Sequence, residues 1–464
     1  MTALRSSRRP SIPSPSLGRI RPIGIVLAAI ALVAVSYGVS SLTSAPSRSA
    51  PPVVQRNDSF ALPAGVTDNA VPEDLAAIDD EIKVWAAKSA ADARDDISAG
   101  NLAVLYLGRG RLTGDAADYE RSLAAANRAV AAYPTSTGTR ALKATVLQAT
   151  HDFAGALALA TQVTAEDPHN VDALSVVGDA QLELGRLDDA ARSYAAVAAI
   201  QTGPALDARL ARLAWLKGDA TRALTLATSA RNGAAESTTS DPSFYDAQLG
   251  EMARLTGDAT LARSAFDSAL ATRRTNQLAL LGKARLDAFA GNTSGAITGL
   301  RTAAAIAPRP ETLALLSDLL DRAGDTDGAR RAADTIQVID RLGGTSAQLF
   351  DRQILGFDLD HGLATSTVRD RAVAAAAVRP DAAGLDTVAW AAFRLDDLAS
   401  ARTVSEKALA SGSIDARILY HAGAIAIRGG DLAGRTLVQR ALDLGPALDP
   451  LDRAAAESLL AEGP

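Results

Sequence analysis

Residues Asn170–Gly203 read NVDALSVVGDAQLELGRLDDAARSYAAVAAIQTG, and this stretch decides the fold. Leu174, Val177 and Gly178 stand at i, i+3 and i+4, so they share one face of a helix. Gly185 breaks the run, because glycine enters the left-handed conformation that ends a helix without steric cost. Ala190, Tyr194 and Val197 then resume the helical spacing as the apolar face of a second helix. Two amphipathic helices, neither able to bury its face alone, meet across a tight turn.

The unit recurs. Gly185, Gly218, Gly257, Gly291, Gly324 and Gly430 are separated by 33, 39, 34, 33 and 106 residues, the last gap spanning about three periods of a roughly 34-residue helix-turn-helix repeat. Asp219, Asp258, Asn292, Asp325 and Asp431 follow five of these glycines, where a short polar side chain caps the next helix. Five residues after each of the first five glycines comes alanine (Ala190, Ala223, Ala262, Ala296, Ala329), small enough for helices to approach closely. Ser243–Arg274 repeats the scheme with Leu249, Gly250, Gly257, Ala262, Phe266 and Ala269. Arg435 departs from it in place of alanine, and residues 345–380 match poorly, with Leu363 where the turn glycine is expected.

Composition agrees with an all-α array. The 464 residues are 48% hydrophobic but only 4% aromatic, so the core is built mostly from Ala and Leu, which suits thin, closely packed helices. Cysteine is absent, which excludes disulfides, thiolate metal sites and thiol catalysis. The four histidines, His151, His169, His361 and His421, are too far apart in sequence to form a metal-binding pair on one helix.

Ile23–Leu42 (IGIVLAAIALVAVSYGVSSL) supplies 20 uncharged, mostly apolar residues, about 30 Å as a helix and enough to span a bilayer once. Arg5, Arg8, Arg9, Arg19 and Arg21 precede it with no acid among them, so the positive-inside bias predicts a cytoplasmic N-terminus and extracytoplasmic repeats. A cleaved signal peptide is the competing reading, with the shorter run Ile23–Val35 as its apolar segment. Beyond Arg21 there are 42 basic and 53 acidic residues, a net charge of −11 that argues against nucleic acid as a partner. The organisation expected is a basic tail (1–21), a transmembrane anchor or signal segment (22–42) and a Pro/Ser-rich linker (43–72). A capping helix (73–100), about ten repeats (101–446) and a C-terminal capping helix (447–464) follow. Within the linker, Asn57-Asp58-Ser59 matches a glycosylation sequon, as does Asn292-Thr293-Ser294.

These residues resemble the tetratricopeptide repeat family, whose pattern is a small residue midway in the first helix, a Gly turn, then Ala and an aromatic in the second, with a closing Pro. Pro134, Pro168, Pro308 and Pro380 take that last place. The resemblance covers about Asn101 to Pro446 and implies a right-handed superhelical solenoid whose first helices line a concave groove. Carried over by phase, the groove would present Arg212, Trp215, Glu251, Arg254, Arg285 and Phe289, then Asp318, Asp321, Arg322, Trp390, Phe393, Arg394 and Tyr420. Arg and aromatics are enriched at binding hot spots, although Trp215 and Trp390 could equally bury themselves between repeats. The Lys and Asn clamp with which family members hold a terminal carboxylate has no counterpart here.

No reaction is spelled out. Gly108, Gly110 and Gly114 lack the spacing of a dinucleotide loop, Gly282-Lys283 is followed by Ala284 rather than Ser or Thr, and no G-x-S-x-G element occurs. The Asp-rich turns at Asp325–Gly328 and Asp358–Gly362 read as inter-helix turns rather than calcium loops. The reading is a non-catalytic, membrane-anchored scaffold of bacterial type, with no cofactor, no metal and no small-molecule substrate, that binds a protein or peptide in its groove. The alternatives are an assembly subunit of an envelope polysaccharide-synthesis or secretion machine and, less favoured, an enzyme.

Overall fold

The computed structural model describes residues 75–237 and 240–462, apart from the side chains of residues 346 and 347. The expected membrane segment, the linker and the Asn57 sequon lie outside these residues. Among the described residues no helix is long and apolar enough to cross a membrane, and there is no strand.

Helix α1 (Leu75–Ala91) leads into ten antiparallel helix pairs. Pairs 1 to 3 are α2 (Asp96–Thr113) with α3 (Ala116–Ala132), α4 (Thr137–Ala149) with α5 (Phe153–Glu166), and α6 (Val171–Glu183) with α7 (Leu187–Ala198). Pairs 4 to 6 are α8 (Pro204–Leu216) with α9 (Ala220–Ala235), α10 (Pro242–Leu255) with α11 (Ala259–Thr272), and α12 (Gln277–Phe289) with α13 (Thr293–Ile306). Pairs 7 and 8 are α14 (Pro310–Arg322) with α15 (Thr326–Leu342) and α16 (Gly344–Asp360) with α17 (Ser366–Val378). Pairs 9 and 10 are α18 (Ala382–Arg394) with α19 (Leu398–Leu409) and α20 (Ala416–Arg428) with α21 (Gly434–Asp443), and α22 (Pro450–Ala461) follows.

The turn chemistry has a common form. The six periodic glycines all have φ between +73° and +90°, and Asp219, Asp258, Asn292 and Asp325 each accept a backbone N–H three residues on. Residues before the closing prolines leave the helical region: Ala307, ahead of Pro308, has φ −146° and ψ 111°. Both departures from the sequence pattern resolve by one residue. The turn expected at Leu363 is made by Gly362 at φ +73°, and the small residue expected at Arg435 is Gly434, which packs on Gly423.

Within a pair, an aromatic on the second helix fills the space left by a glycine on the first. Tyr194 lies against Gly178, and the fully buried ring of Phe266 is held between Gly250 of its own pair and Gly282 of the next. Core clusters run along the array in this way, alanine-rich throughout.

The array coils back onto itself. His151 Nδ1 lies 3.2 Å from the Gln348 carbonyl, Arg309 donates to the Arg111 carbonyl at 2.9 Å and Arg254 to the Pro446 carbonyl at 2.8 Å. A Cβ on Gly218 would lie 2.5 Å from the Gly412 carbonyl oxygen, and one on Gly185 would lie 3.1 Å from the Pro380 carbonyl oxygen. Turns of the early pairs thus rest on backbone of the late pairs.

Candidate functional site

Where one coil meets the next lies a half-open cavity of about 800 Å³. Its wall comes from α2, α4, α6, α8, α10 and α12, the first helices of six successive pairs, joined from the second coil by Gln353 and Arg379. Six guanidinium groups face three carboxylates there, a surplus of positive charge. Arg209 donates to Asp179 at 2.8 Å, and Tyr194 donates to the same carboxylate at 2.7 Å. Burial, then the Asp179 charge, pushes the Tyr194 hydroxyl well above its ordinary pKa, so it stays a donor. Glu183 is held from both coils, by Arg212 at 2.5 Å and by Arg379.

Several polar atoms of this wall have no hydrogen-bond partner within the protein although they are buried: Arg309 Nε, Arg379 Nε and both amide atoms of Gln277. Buried groups of this kind ordinarily find partners, so these side chains hold unspent donors and an acceptor just behind the cavity surface. His151 also borders the cavity. Burial first, and then the Arg379 charge, lowers its pKa to about 4, so it is neutral there at physiological pH.

The residues expected to line an open groove are distributed differently. Arg212 borders the cavity. Trp215 is half-buried in the core of pairs 4 and 5, its Nε1 without a partner. Glu251 and Arg254 pair at 2.8 Å, Arg285 reaches Asp449 at 3.0 Å and Arg322 donates to the Pro450 carbonyl at 2.9 Å. These contacts seal one coil against the next. Burial acts to raise the Glu251 pKa, but the Arg254 and Arg285 charges outweigh it and hold it low. Phe289 is 39% exposed with the Arg453 guanidinium 5.1 Å from its ring centre. Asp318 lies 2.7 Å from His361 Nε2, while Asp321 and Arg394 are exposed.

Trp390 is buried, its ring stacked 3.9 Å from His421 and 4.9 Å from Phe393, and its Nε1 donates to Asp360 at 2.9 Å. Tyr420 is buried beside it. The structure therefore gathers Trp390, Phe393 and Tyr420 into one packed aromatic cluster, apart from Trp215. Around that cluster lie Asp360, Asp386, Asp452 and Arg417, groups from four helices that no sequence spacing connects.

Sequence phase missed most of the cavity wall. Arg209 stands one turn before Arg212 on α8 and was within reach of the same reasoning. Arg309 and Arg379 lie in the linkers beside Pro308, Pro310 and Pro380, outside any helical phase, and enter only because the coils stack.

Residues 147–213, spanning α5 to α8, match the tetratricopeptide repeat family model. Those residues carry the tetratricopeptide repeat. The repeat signature Gly178, Gly185, Ala190 and Tyr194 lies inside that match. Among solved structures, yeast Tom70 is 13% identical over 83% of this chain and 92% of its own, with a TM-score of 0.35. Human IFIT1, in a dimer with PPP-AAAA, is 14% identical over 76% of this chain and 84% of its own, with a TM-score of 0.42. PilW, a type IV pilus biogenesis factor, is 16% identical over 46% of this chain and 98% of its own, with a TM-score of 0.38. No curated protein matches the sequence.

Proposed function

We propose that the protein is a non-catalytic scaffold on the extracytoplasmic side of a bacterial membrane, held there by Ile23–Leu42, and that its coil takes up an extended, carboxylate-bearing peptide segment in the arginine-walled cavity. The carrying observation is that wall: six guanidinium groups and three carboxylates border one cavity, with the Gln277 amide among them. Guanidinium groups grip carboxylates in a fixed fork geometry, and a free amide offers a peptide group both the donor and the acceptor it needs. The cavity volume is that of a ligand pocket, so a short segment of chain fits and a folded domain does not. The five N-terminal arginines and the apolar run after them support the topology.

The test is fluorescence anisotropy with labelled peptides of equal length that are acid-rich, neutral or lysine-rich. Acid-rich peptide should bind best, more weakly as salt rises, and about tenfold more weakly to an Arg309→Gln, Gln277→Leu double variant. Equal binding of all three peptides, or no loss in the folded double variant, would sink the reading. Protease added to intact spheroplasts should digest the repeats, and their protection would overturn the topology.

A further inference from the structure

The inner face of pairs 8 to 10 carries a second constellation, separate from the cavity. Asp360 ends α16, His421 lies mid-way along α20 and Asp452 is in the first turn of α22. One ligand atom from each lies within 4.8 Å of the other two. The imidazole of His421 is 2% exposed. Its Nδ1 is 2.9 Å from Asp386 Oδ2, and a carboxylate can only accept, so Nδ1 carries the proton. Nε2 is buried and without a partner.

A buried, unpartnered imidazole nitrogen on a ring that lies beside two carboxylates, its other nitrogen oriented by a third, is the donor set of a transition-metal site with its outer support already in place. We propose that Asp360, His421 and Asp452 bind a divalent transition cation such as Zn²⁺, with Asp386 as the positioning residue that sets the tautomer and aim of His421. The local charge favours this. Three carboxylates, Asp360, Asp386 and Asp452, are opposed by the Arg417 guanidinium alone, which contacts Asp360 and lies 3.6 Å from Asp452. Ligand atoms around a tetrahedral ion of this kind stand about 3.3 Å apart, so atoms at the 4.8 Å limit need to draw in by about 1.5 Å when it binds. Imidazole selects Zn²⁺ and its neighbours over Mg²⁺ or Ca²⁺, which prefer oxygen alone. Because the three ligands come from three helices, the ion would tie α22 to pairs 8 and 10 and fix the end of the second coil.

The experiment is isothermal titration of the full-length protein, stripped with EDTA, with ZnCl₂ and separately with MgCl₂. One equivalent of Zn²⁺ should bind and raise the melting temperature, while Mg²⁺ should do neither. His421→Gln and Asp452→Asn should each weaken Zn²⁺ binding at least tenfold, and Asp386→Asn should weaken it about tenfold with the stoichiometry kept. Should a variant fail to fold, Co²⁺ reports on the unaltered protein: its visible absorption should change from that of the aqueous ion to that of a nitrogen-ligated one. No saturable Zn²⁺ binding, binding that survives in the folded His421→Gln, Asp452→Asn double variant, or an unchanged Co²⁺ spectrum overturns the proposal.

Discussion

Replacing Gly282 with alanine sets two effects of opposite sign against each other. Gly282 is in the interior of α12, where helix propensity alone makes Gly→Ala stabilising by about 1 kcal/mol. Its new Cβ would sit well inside 3 Å of the Phe266 ring. That ring has no space to yield, because it is fully buried and its other face lies against Gly250, where a Cβ would likewise come within 2.6 Å. Overpacking of a closed core costs about 1 to 3 kcal/mol, and so close an approach belongs in the upper part of that range, so the net result should be a loss of about 1 to 2 kcal/mol. Urea unfolding measures this, and hydrogen exchange should place the lost protection in pairs 5 and 6, since each repeat packs mainly on its neighbours. Phe266→Leu shortens the ring and should make Gly282→Ala harmless or favourable in the double variant, a coupling of about 1 kcal/mol or more. A Gly282→Ala protein as stable as the wild type, or additive behaviour in the cycle, would refute the packing argument.

Gly218→Ala should destabilise more than Gly291→Ala: both positions have positive φ, but only the Gly218 Cβ meets backbone, that of Gly412, and thermal melts of the two variants compare them. Arg254→Ala removes the bond to the Pro446 carbonyl and leaves Glu251 without its partner, for a loss of about 3 kcal/mol, with a larger radius of gyration by small-angle scattering as the coils part. His151 has a folded pKa of about 4, below its unfolded value, so its contribution is full above about pH 6.5 and falls away as pH drops towards 4. Because His151 is partly exposed, the loss should be roughly 1 to 3 kcal/mol; His151→Asn, which tolerates the positive φ there, should flatten that limb of the stability profile. Ala262→Leu should cost about 1 to 3 kcal/mol in unfolding, because Ala262 is fully buried where its helix pair closes.

The repeat was legible because its determinants are local. A glycine at φ near +80°, an acid or amide three residues before the N–H it accepts, and a small residue opposite an aromatic all lie within one 34-residue unit. The two positions that misled, Leu363 and Arg435, did so because Gly362 and Gly434 perform the same task one residue earlier. Site geometry was not legible in the same way. The groove phase assigned Arg254, Arg285 and Trp390 to one lining, and the structure gives them the Pro446 carbonyl, Asp449 and Asp360 as partners instead. Whether an inner arginine meets a ligand or a carbonyl depends on residues nearly two hundred positions away. His421 shows this most plainly: no helical spacing links it to Asp360, Asp386 or Asp452.

Four of the bonds between coils span nearly the same distance in sequence, while those of Arg285 to Asp449 and Arg322 to Pro450 span 164 and 128 residues. Direct bonds join Arg254 to Pro446, Arg379 to Glu183, His151 to Gln348 and Arg309 to Arg111 at separations of 192, 196, 197 and 198 residues. Identical steps between successive pairs bring a coil back to itself at a fixed interval, here between five and six repeats of about 34 residues. Gly185, Gly218 and Gly257 have described residues one interval further on and abut them, whereas Gly291, Gly324 and Gly430 have none and meet nothing within 4 Å. The same motif is thus a packing surface in the first coil and a free turn in the second. Gln353 of pair 8 and Arg379 of the linker after it border the first helices of the early pairs, so a peptide reaches the arginine wall axially, through the cavity's open side, or by parting the two coils. The bonds that would break in the second route are those of Arg254, Arg379, His151 and Arg309, and three of these four residues also border the cavity. Arg254 does not, so its removal separates access from affinity: in Arg254→Ala, peptide association and dissociation should both quicken with little change in their ratio if the coils gate entry, and neither rate should change if entry is axial.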